Sequence, residues 1–336
     1  MPVSKGVYKN LLELIGDTPL VNIRHLTENN PGLFLAKLEL TNPGQSPKDR
    51  IALHIINDAE KKGLLKQGST VIETTSGNTG FSLAMVSLIK GYKCILAVSS
   101  KSSTDKINTL KALGAEVHVC PANVEADDPR SYYEVAKKLN KEIEGSLYIN
   151  QYFNDLNAQA HYLTTGPEIW EQTSGKITHL VVSSGTGGTI SGTAKFLKEK
   201  NKKIMIIGVD AYGSVLKKYH ETGEFDKNEI YPYKIEGLGK NLIPSVTNFE
   251  IIDQFIKVGD EESAKSARDL VKKEGIFGGY TTGACLRAVE KLIEKKEFKK
   301  NDVIVMLFPD HGSRYLSKIY NDEWLNEQGF EKIISN

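Results

Sequence analysis

From about residue 45 onward, short apolar, β-branched runs alternate with stretches of helical periodicity. Strand-like runs fall at 71–73, 94–98, 116–119, 147–149, 179–182, 204–209 and 303–308. Helical patterns fall between them, near 49–62, 79–90, 105–113, 129–143, 159–172, 189–199, 262–274 and 284–296, with a short helix after Gly312. In the stretch 49–62, Ile51, Ile55 and Ala59 recur every fourth residue, and Ala52 and Ile56 widen the stripe to the width of a core-facing helix side. Alternating strands and helices predict parallel sheets with right-handed crossovers. The apolar runs are of strand length, so no membrane-spanning helix is expected. A composition shift near 145–157 predicts that one sheet ends and another begins there, dividing the chain into residues 1–150 and 151–336. The polar, Tyr-rich stretch 220–236 reads as an excursion or lid.

A length of 336 residues suits two domains or one large α/β unit, with a core that needs no staples. Lys and Arg number 43 and Asp and Glu 42, so the net charge of +1 argues against a nucleic-acid partner. Cys94, Cys120 and Cys285 are odd in number and widely spaced, which fits neither a disulfide framework nor a zinc site. A reducing, cytoplasmic location is expected.

Most of the chemistry sits where glycines cluster. The loop Ser183-Ser184-Gly185-Thr186-Gly187-Gly188-Thr189 follows a strand and opens a helix. Glycines there let backbone N–H groups approach an anion, and the helix start adds partial positive charge, as a phosphate cradle requires. It is no Walker loop, and Ile190 stands where the dinucleotide fingerprint needs its third glycine. Asp210, ending the next strand, is all that remains of a nicotinamide reading. A second loop, Thr74-Thr75-Ser76-Gly77-Asn78-Thr79-Gly80, crowds neutral donors about two glycines and suits a carboxylate; the alternative is a cluster of N-caps. A third, Gly278-Gly279-Tyr280-Thr281-Thr282-Gly283-Ala284, reads either as a binding loop or as a helix start with a Thr cap. In Asn42-Pro43-Gly44-Gln45-Ser46-Pro47-Lys48-Asp49-Arg50, Lys48 falls where a turn becomes a helix. The helix field there disfavours an ammonium and so favours an amine able to condense with an aldehyde.

A phosphate cradle, a carboxylate loop and a lone lysine together suggest pyridoxal phosphate and an amino-acid substrate. The chain resembles the cysteine synthase / cystathionine β-synthase family of fold type II pyridoxal-phosphate enzymes. The resemblance runs in order through Ile15-Gly16-Asp17-Thr18-Pro19-Leu20, the lysine segment, Thr75 to Gly80, Lys111-Ala112-Leu113-Gly114-Ala115, residues 164–169, Gly185 to Thr189 and Glu236-Gly237-Leu238-Gly239. It implies two three-layer αβα domains with mostly parallel twisted sheets. The N-terminal one is smaller and mobile, an arm of about 10–40 packs with the larger one, and the active site lies between them. It implies that Lys48 bears the cofactor and is the catalytic base, that Asn78 bonds the ring oxygen, and that Gly185, Thr186, Gly187, Gly188 and Thr189 hold the phosphate. It further implies that Thr281 faces the pyridine nitrogen and that Thr75, Ser76, Asn78, Thr79 and Gln151 bind the substrate carboxylate. No metal is implied. The partners implied are small amino-acid and thiol substrates and a second copy of the chain in a homodimer.

The reaction implied is β-replacement on serine or O-acetylserine through an aminoacrylate. A neutral hydroxyl at the ring nitrogen favours loss of a β-substituent over transamination. The stretches 208–214 and 233–239 and the ending 315–325 look more like cystathionine β-synthases, which points to homocysteine as the nucleophile and cystathionine as the product. The alternatives are sulfide, giving cysteine, or another nucleophile, giving lanthionine or a related alanine, with hydrogen sulfide release from cysteine as a side reaction. A dehydratase, or a non-catalytic relative of the fold, completes the set. Three residues depart from the family pattern: Gln45 replaces a common Gly, Pro47 a common Val and Thr281 a Ser; Tyr280, beside Thr281, is expected to reshape the floor of the site.

Overall fold

The computed structural model describes residues 6–125, 127–330 and 333. The strands are β1 (Leu20–Asn22), β2 (Leu33–Leu38), β3 (Thr70–Glu73), β4 (Lys93–Ser99), β5 (Glu116–Cys120), β6 (Leu147–Tyr148), β7 (His179–Ser183), β8 (Met205–Ala211), β9 (Gln254–Val258) and β10 (Val303–Phe308). The helices are α1 (Arg24–Asn29), α2 (Lys48–Lys61), α3 (Asn78–Lys90), α4 (Thr104–Ala112), α5 (Tyr132–Glu142), α6 (Leu156–Leu163), α7 (Thr165–Gln172), α8 (Gly188–Lys200), α9 (Leu216–Thr222), α10 (Asp260–Glu274), α11 (Tyr280–Glu294) and α12 (Asp322–Glu327). Packing separates two units. One holds the chain up to Gly16 together with Asn42–Ala160, the other Asp17–Thr41 together with the chain from His161 onward. The units thus change over at Ala160, inside α6, rather than at the composition shift near 150.

The first unit carries a four-stranded parallel sheet in the order β5-β4-β3-β6. Strand alternation explains why both of its faces are covered. Cys94, Leu96 and Val98 of β4 point into one core with Val71 and the α2 and α3 residues Ile51, Ile55 and Leu83. Their neighbours Ile95 and Ala97 point into the opposite core with Ile72 and Ala136. A one-residue slip would exchange the two sets, so register is tightly specified. The second unit repeats the logic in a six-stranded sheet ordered β1-β2-β10-β7-β8-β9, in which only β1 runs antiparallel. Ile304, Met306 and Phe308 of β10 face one core, while Val305 and Leu307 face the other. Each fully buried aliphatic side chain of this kind contributes roughly 1.5–3 kcal/mol. Two covered faces make each unit a three-layer αβα sandwich.

Both sheets have a topological switch point, where the chain turns back to add a strand on the other side. In the first sheet it lies between β3 and β6, in the second between β7 and β10. Loops at the carboxyl ends of such strands form the ligand crevice of open α/β sheets. The loops after β3 and β7 are the donor-rich ones singled out from the sequence.

Two departures from the sequence pattern have physical causes. The stretch 159–172 is two helices, because Pro167 lacks an N–H and clashes with the turn before it; Thr164 leaves helical geometry at φ −128°, ψ −69°, and Pro167 fits the first turn of α7. Strand β2 was hidden by Lys37, which is fully buried. Its ammonium donates to Glu168 (2.6 Å), Thr18 O (2.7 Å) and Gln172 Oε1 (3.0 Å), so a charge sits inside a sheet without being unpaired. The three cysteines are buried and unbridged. No helix among the described residues is long and apolar enough to cross a membrane.

Candidate active site

Lys48 is the first residue of α2, directly after Pro47, and is half-buried. Pro47 (φ −65°, ψ −9°) is already helical and has no side-chain cap to offer. The loop ahead is fixed by Asp49: Gly44 N donates to its Oδ2 at 2.5 Å, and a Cβ on Gly44 would sit 2.2 Å from Oδ1. Gln45 N closes on Asn42 O at 2.7 Å, with Gln45 held at φ +59°. That is the left-handed region glycine occupies without strain. Asp49 Oδ1 accepts the hydroxyl of Ser82 at 2.5 Å, and Ser82 Oγ also lies 3.0 Å from Asn78 O. Asp49 therefore ties the turn that presents Lys48 to the turn that presents Asn78.

Helix α3 begins after Gly77 with no side-chain cap. Thr75 Oγ1 accepts from Gly77 N at 3.2 Å, shaping the loop instead of closing the helix, so a cluster of N-caps is not what these residues form. By contrast, Ser103, Ser131 and Asn321 do cap α4, α5 and α12. The helix field at the start of α3 favours an anion there. Thr79 donates its hydroxyl to Gln151 Oε1 at 2.8 Å, joining the loop after β3 to the loop after β6. Thr75, Ser76 and Asn78 are part-exposed beside this buried pair.

In the second unit, α8 starts after Gly187, again without a side-chain cap. Gly187 has φ +85°, and a Cβ there would lie 1.8 Å from Thr247 Oγ1. A Cβ on Gly185 would lie 2.4 Å from Gly237 O, and Gly239 N donates to Ser184 O at 2.7 Å. The Glu236-Gly237-Leu238-Gly239 segment thus lies directly against the cradle, and glycines are required on both sides. Thr189 Oγ1 is 3.1 Å from His161 Nε2, whose Nδ1 is 2.8 Å from Thr165 Oγ1. Ser184 Oγ is buried without a hydrogen-bond partner. A helix start without a side-chain cap, flanked by glycines and neutral hydroxyls, fits a phosphate. Asp210 has a different task. Its carboxylate accepts from Ala211 N (2.9 Å) and Lys217 N (3.0 Å) at the start of α9, and burial pushes it above the usual carboxylate range.

Helix α11 starts after Gly279, without a side-chain cap, so Thr281 and Thr282 lie inside the helix and neither caps it. Thr281 Oγ1 lies 3.4 Å from Asp310 Oδ1, and Tyr315 donates to Asp310 Oδ2 at 2.7 Å. A Cβ on Gly237 would be 3.8 Å from Thr281 Cγ2, which puts Thr281 next to the segment that backs the cradle. Tyr280 does not reshape a floor: it is fully buried in the core and donates to Asp260 O at 3.0 Å.

The first unit therefore gathers Lys48, Thr75, Ser76, Asn78, Thr79 and Gln151, and the second gathers residues 185–189 with Thr281. Sequence reasoning passed over Asp49, Glu73, His161 and Asp310. Each is a polar residue next to a motif already recognised, which is the signal that was present. Burial pushes the Cys94 and Cys285 thiols up to about 12, so neither is a thiolate at neutral pH. No group of metal-ligating side chains occurs among the described residues.

The sequence pattern that defines the family described as "Pyridoxal-phosphate dependent enzyme" matches residues 11–310. Cystathionine beta-synthase of Saccharomyces cerevisiae is 43% identical over 328 residues, covering 95% of this chain and 64% of that protein. The Apis mellifera cystathionine beta-synthase is 42% identical over 327 residues, covering 96% of this chain and 64% of that protein. The chain thus spans about three-fifths of the length of these relatives. Cysteine synthase of Staphylococcus aureus is 39% identical over 309 residues, covering 92% of this chain and 95% of that protein. Among solved structures, a hydrogen sulfide-producing enzyme from Fusobacterium nucleatum superposes with a TM-score of 0.82 at 35% identity, covering 92% of this chain and all of that one. A glycine cradle fit for phosphate, a lysine opening a helix and a match along most of the chain lead to one conclusion: this protein belongs to the pyridoxal-phosphate dependent enzyme family.

Proposed function

We propose that the enzyme replaces the β-substituent of serine or O-acetylserine with a thiol, and that homocysteine is that thiol and cystathionine the product. The observation that carries the reading is the pairing, in one chain, of two uncapped donor loops with a lysine at a helix start. One loop is a glycine-flanked helix start that suits a phosphate, and the other a set of neutral donors at a helix start that suits an amino-acid carboxylate. The greater identity to cystathionine beta-synthases than to cysteine synthases supports homocysteine.

In this reading Lys48 would hold the cofactor, Asn78 its ring oxygen, Gly185, Thr186, Gly187, Gly188 and Thr189 its phosphate, and Thr281 its ring nitrogen. Pyridoxal phosphate, when bound, acts as the electron sink that makes the substrate Cα proton removable. Lys48 Nζ takes that proton as general base. The β-substituent leaves with its electron pair, the thiol sulfur bonds to Cβ, and Lys48 returns the proton to Cα. Hydroxide is a poor leaving group, so for serine the proton held by Lys48 makes it water and the thiol's proton, passed to Lys48, is the one returned to Cα. Acetate leaves as the anion, Lys48 returns the original proton, and the thiol's proton goes to solvent. The α3 N-terminus, Thr75, Ser76 and Gln151 bind the substrate carboxylate with neutral donors and so leave the reacting end free. Thr281, a neutral hydroxyl, favours loss of the β-substituent over transamination.

Sulfide is the second reading. It is supported by the 39% identity to a cysteine synthase and the 35% identity to a hydrogen sulfide-producing enzyme. The deciding experiment offers the purified protein serine or O-acetylserine with homocysteine, sulfide or cysteine and identifies products by mass spectrometry. Cystathionine as the preferred product supports the first reading. Cysteine formed faster from sulfide replaces it with the second, and keto acid formed without any thiol overturns both.

A further inference from the structure

Glu73, the last residue of β3, is 1% exposed and stands just ahead of the carboxylate loop. Its Oε1 accepts from Thr74 N at 2.6 Å and from Thr74 Oγ1 at 3.1 Å, and its Oε2 accepts from Gln151 N at 3.1 Å. All three donors are neutral, and among the described residues no cation bonds to it. One carboxyl group thus clamps the two loops that flank the switch point of the first sheet, those after β3 and β6. Gln151 is held from three sides: its N–H by Glu73, its carbonyl by Asn157 Nδ2 (2.8 Å) and its Oε1 by Thr79 (2.8 Å). Only its Nε2 has no hydrogen-bond partner among the described residues. Since Thr79 donates to Oε1, the side-chain amide is fixed with its NH2 group on the side away from Thr79.

We propose that Glu73 is a positioning residue for the amino-acid substrate. By fixing Gln151 and the start of the 74–79 loop, it aims Gln151 Nε2 and the α3 N–H groups at one carboxylate. The inference rests on the reading of that loop as the carboxylate site. A carboxyl group suits the task because it accepts from both loops at once, which an amide cannot do: in Glu73→Gln one of the facing N–H groups meets an NH2 group and is left without an acceptor. Burial pushes the Glu73 carboxyl above the usual range, in keeping with a group surrounded by neutral donors alone.

The test is a spectral titration of the cofactor-loaded protein with L-serine, together with separate KM values for serine and thiol, in Glu73→Gln and Glu73→Asp. For Glu73→Gln, the apparent Kd and KM for serine should rise at least tenfold, with the thiol KM and the resting cofactor absorbance unchanged. Glu73→Asp, which keeps a carboxylate, should show a smaller rise. A wild-type protein whose cofactor spectrum ignores serine would defeat the carboxylate-loop reading and this inference with it. A wild type that responds, beside variants whose serine Kd is unaltered or whose serine and thiol KM rise together, would overturn the role of Glu73 alone. Should Glu73→Gln not fold, an unaltered serine Kd in Glu73→Asp overturns it equally.

Discussion

Gly187→Ala is the sharpest probe of the cradle. At φ +85° an L-residue is strained by about 1–2 kcal/mol. The new methyl would lie 1.8 Å from Thr247 Oγ1, 2.7 Å from its Cβ and 2.8 Å from its Cα, so Thr247 must move as a whole. Overpacking of this kind costs about 1–3 kcal/mol. The sum is about 2–5 kcal/mol if the loop keeps its shape. Without ligand the loop relieves the strain by shifting, so the apoprotein should melt close to wild type. Phosphate binding requires the N–H groups of residues 185–189 to converge, and the strain then reappears as lost affinity. At about 1.4 kcal/mol per tenfold, that is roughly 30- to 4000-fold in the dissociation constant for pyridoxal phosphate. The assay is fluorescence titration of apoprotein with the cofactor. Adding Thr247→Gly to Gly187→Ala removes the hydroxyl and Cβ from the clash, and should recover the packing share but not the backbone share. A Gly187→Ala protein that binds the cofactor as tightly as wild type would refute the assignment of this loop.

Three further outcomes follow from individual contacts. Gln45→Gly relieves the φ +59° strain and, after the greater freedom of glycine in the unfolded chain, should stabilise by about 0.5–1 kcal/mol, a Tm rise of about 1 °C by calorimetry; a lower Tm would contradict the strain. Burial raises Asp210 in the folded state above its ordinary 3.8, so its contribution to stability is complete below about pH 4 and is lost as pH rises through the raised value. The stability difference between wild type and Asp210→Asn, from urea midpoints, should therefore shrink on going from pH 4 towards neutral, and a difference that grows would reverse the sign. Thr281→Asp would set a second carboxyl beside Asp310, and like charges at that distance hold one of the pair protonated. It should slow β-replacement and divert product towards keto acid, and an unchanged product ratio would count against the neutral hydroxyl as the determinant.

The parallel strands were legible because burial on both faces turns β7, β8 and β10 into unbroken apolar runs, and the glycine loops were legible because backbone approach leaves no other residue possible. What escaped notice was polar and buried. Lys37 disguised β2, since a charged residue reads as solvated until Glu168 and Gln172 arrive from α7, over a hundred positions away. Pro167 split a helix whose periodicity ran on across it. Gln45 was recognisable as a departure from the family pattern but not as a residue at positive φ. Glu73, Asp49 and His161 act by holding other groups in place, and one partner of each (Gln151, Ser82 and Thr189) lies on a distant segment of the chain. Even the recognised motifs gave no sign that Thr79 spends its proton on Gln151, because that bond exists only once β3 and β6 are paired.

The account stands most directly on the amine at Lys48. Borohydride treatment of the cofactor-loaded protein, followed by protease digestion and mass spectrometry, locates the reduced phosphopyridoxyl group. The prediction is a single modified peptide with the label on Lys48, absent from Lys48→Ala. A label on another lysine, or none on a protein that has taken up the cofactor, would contradict it.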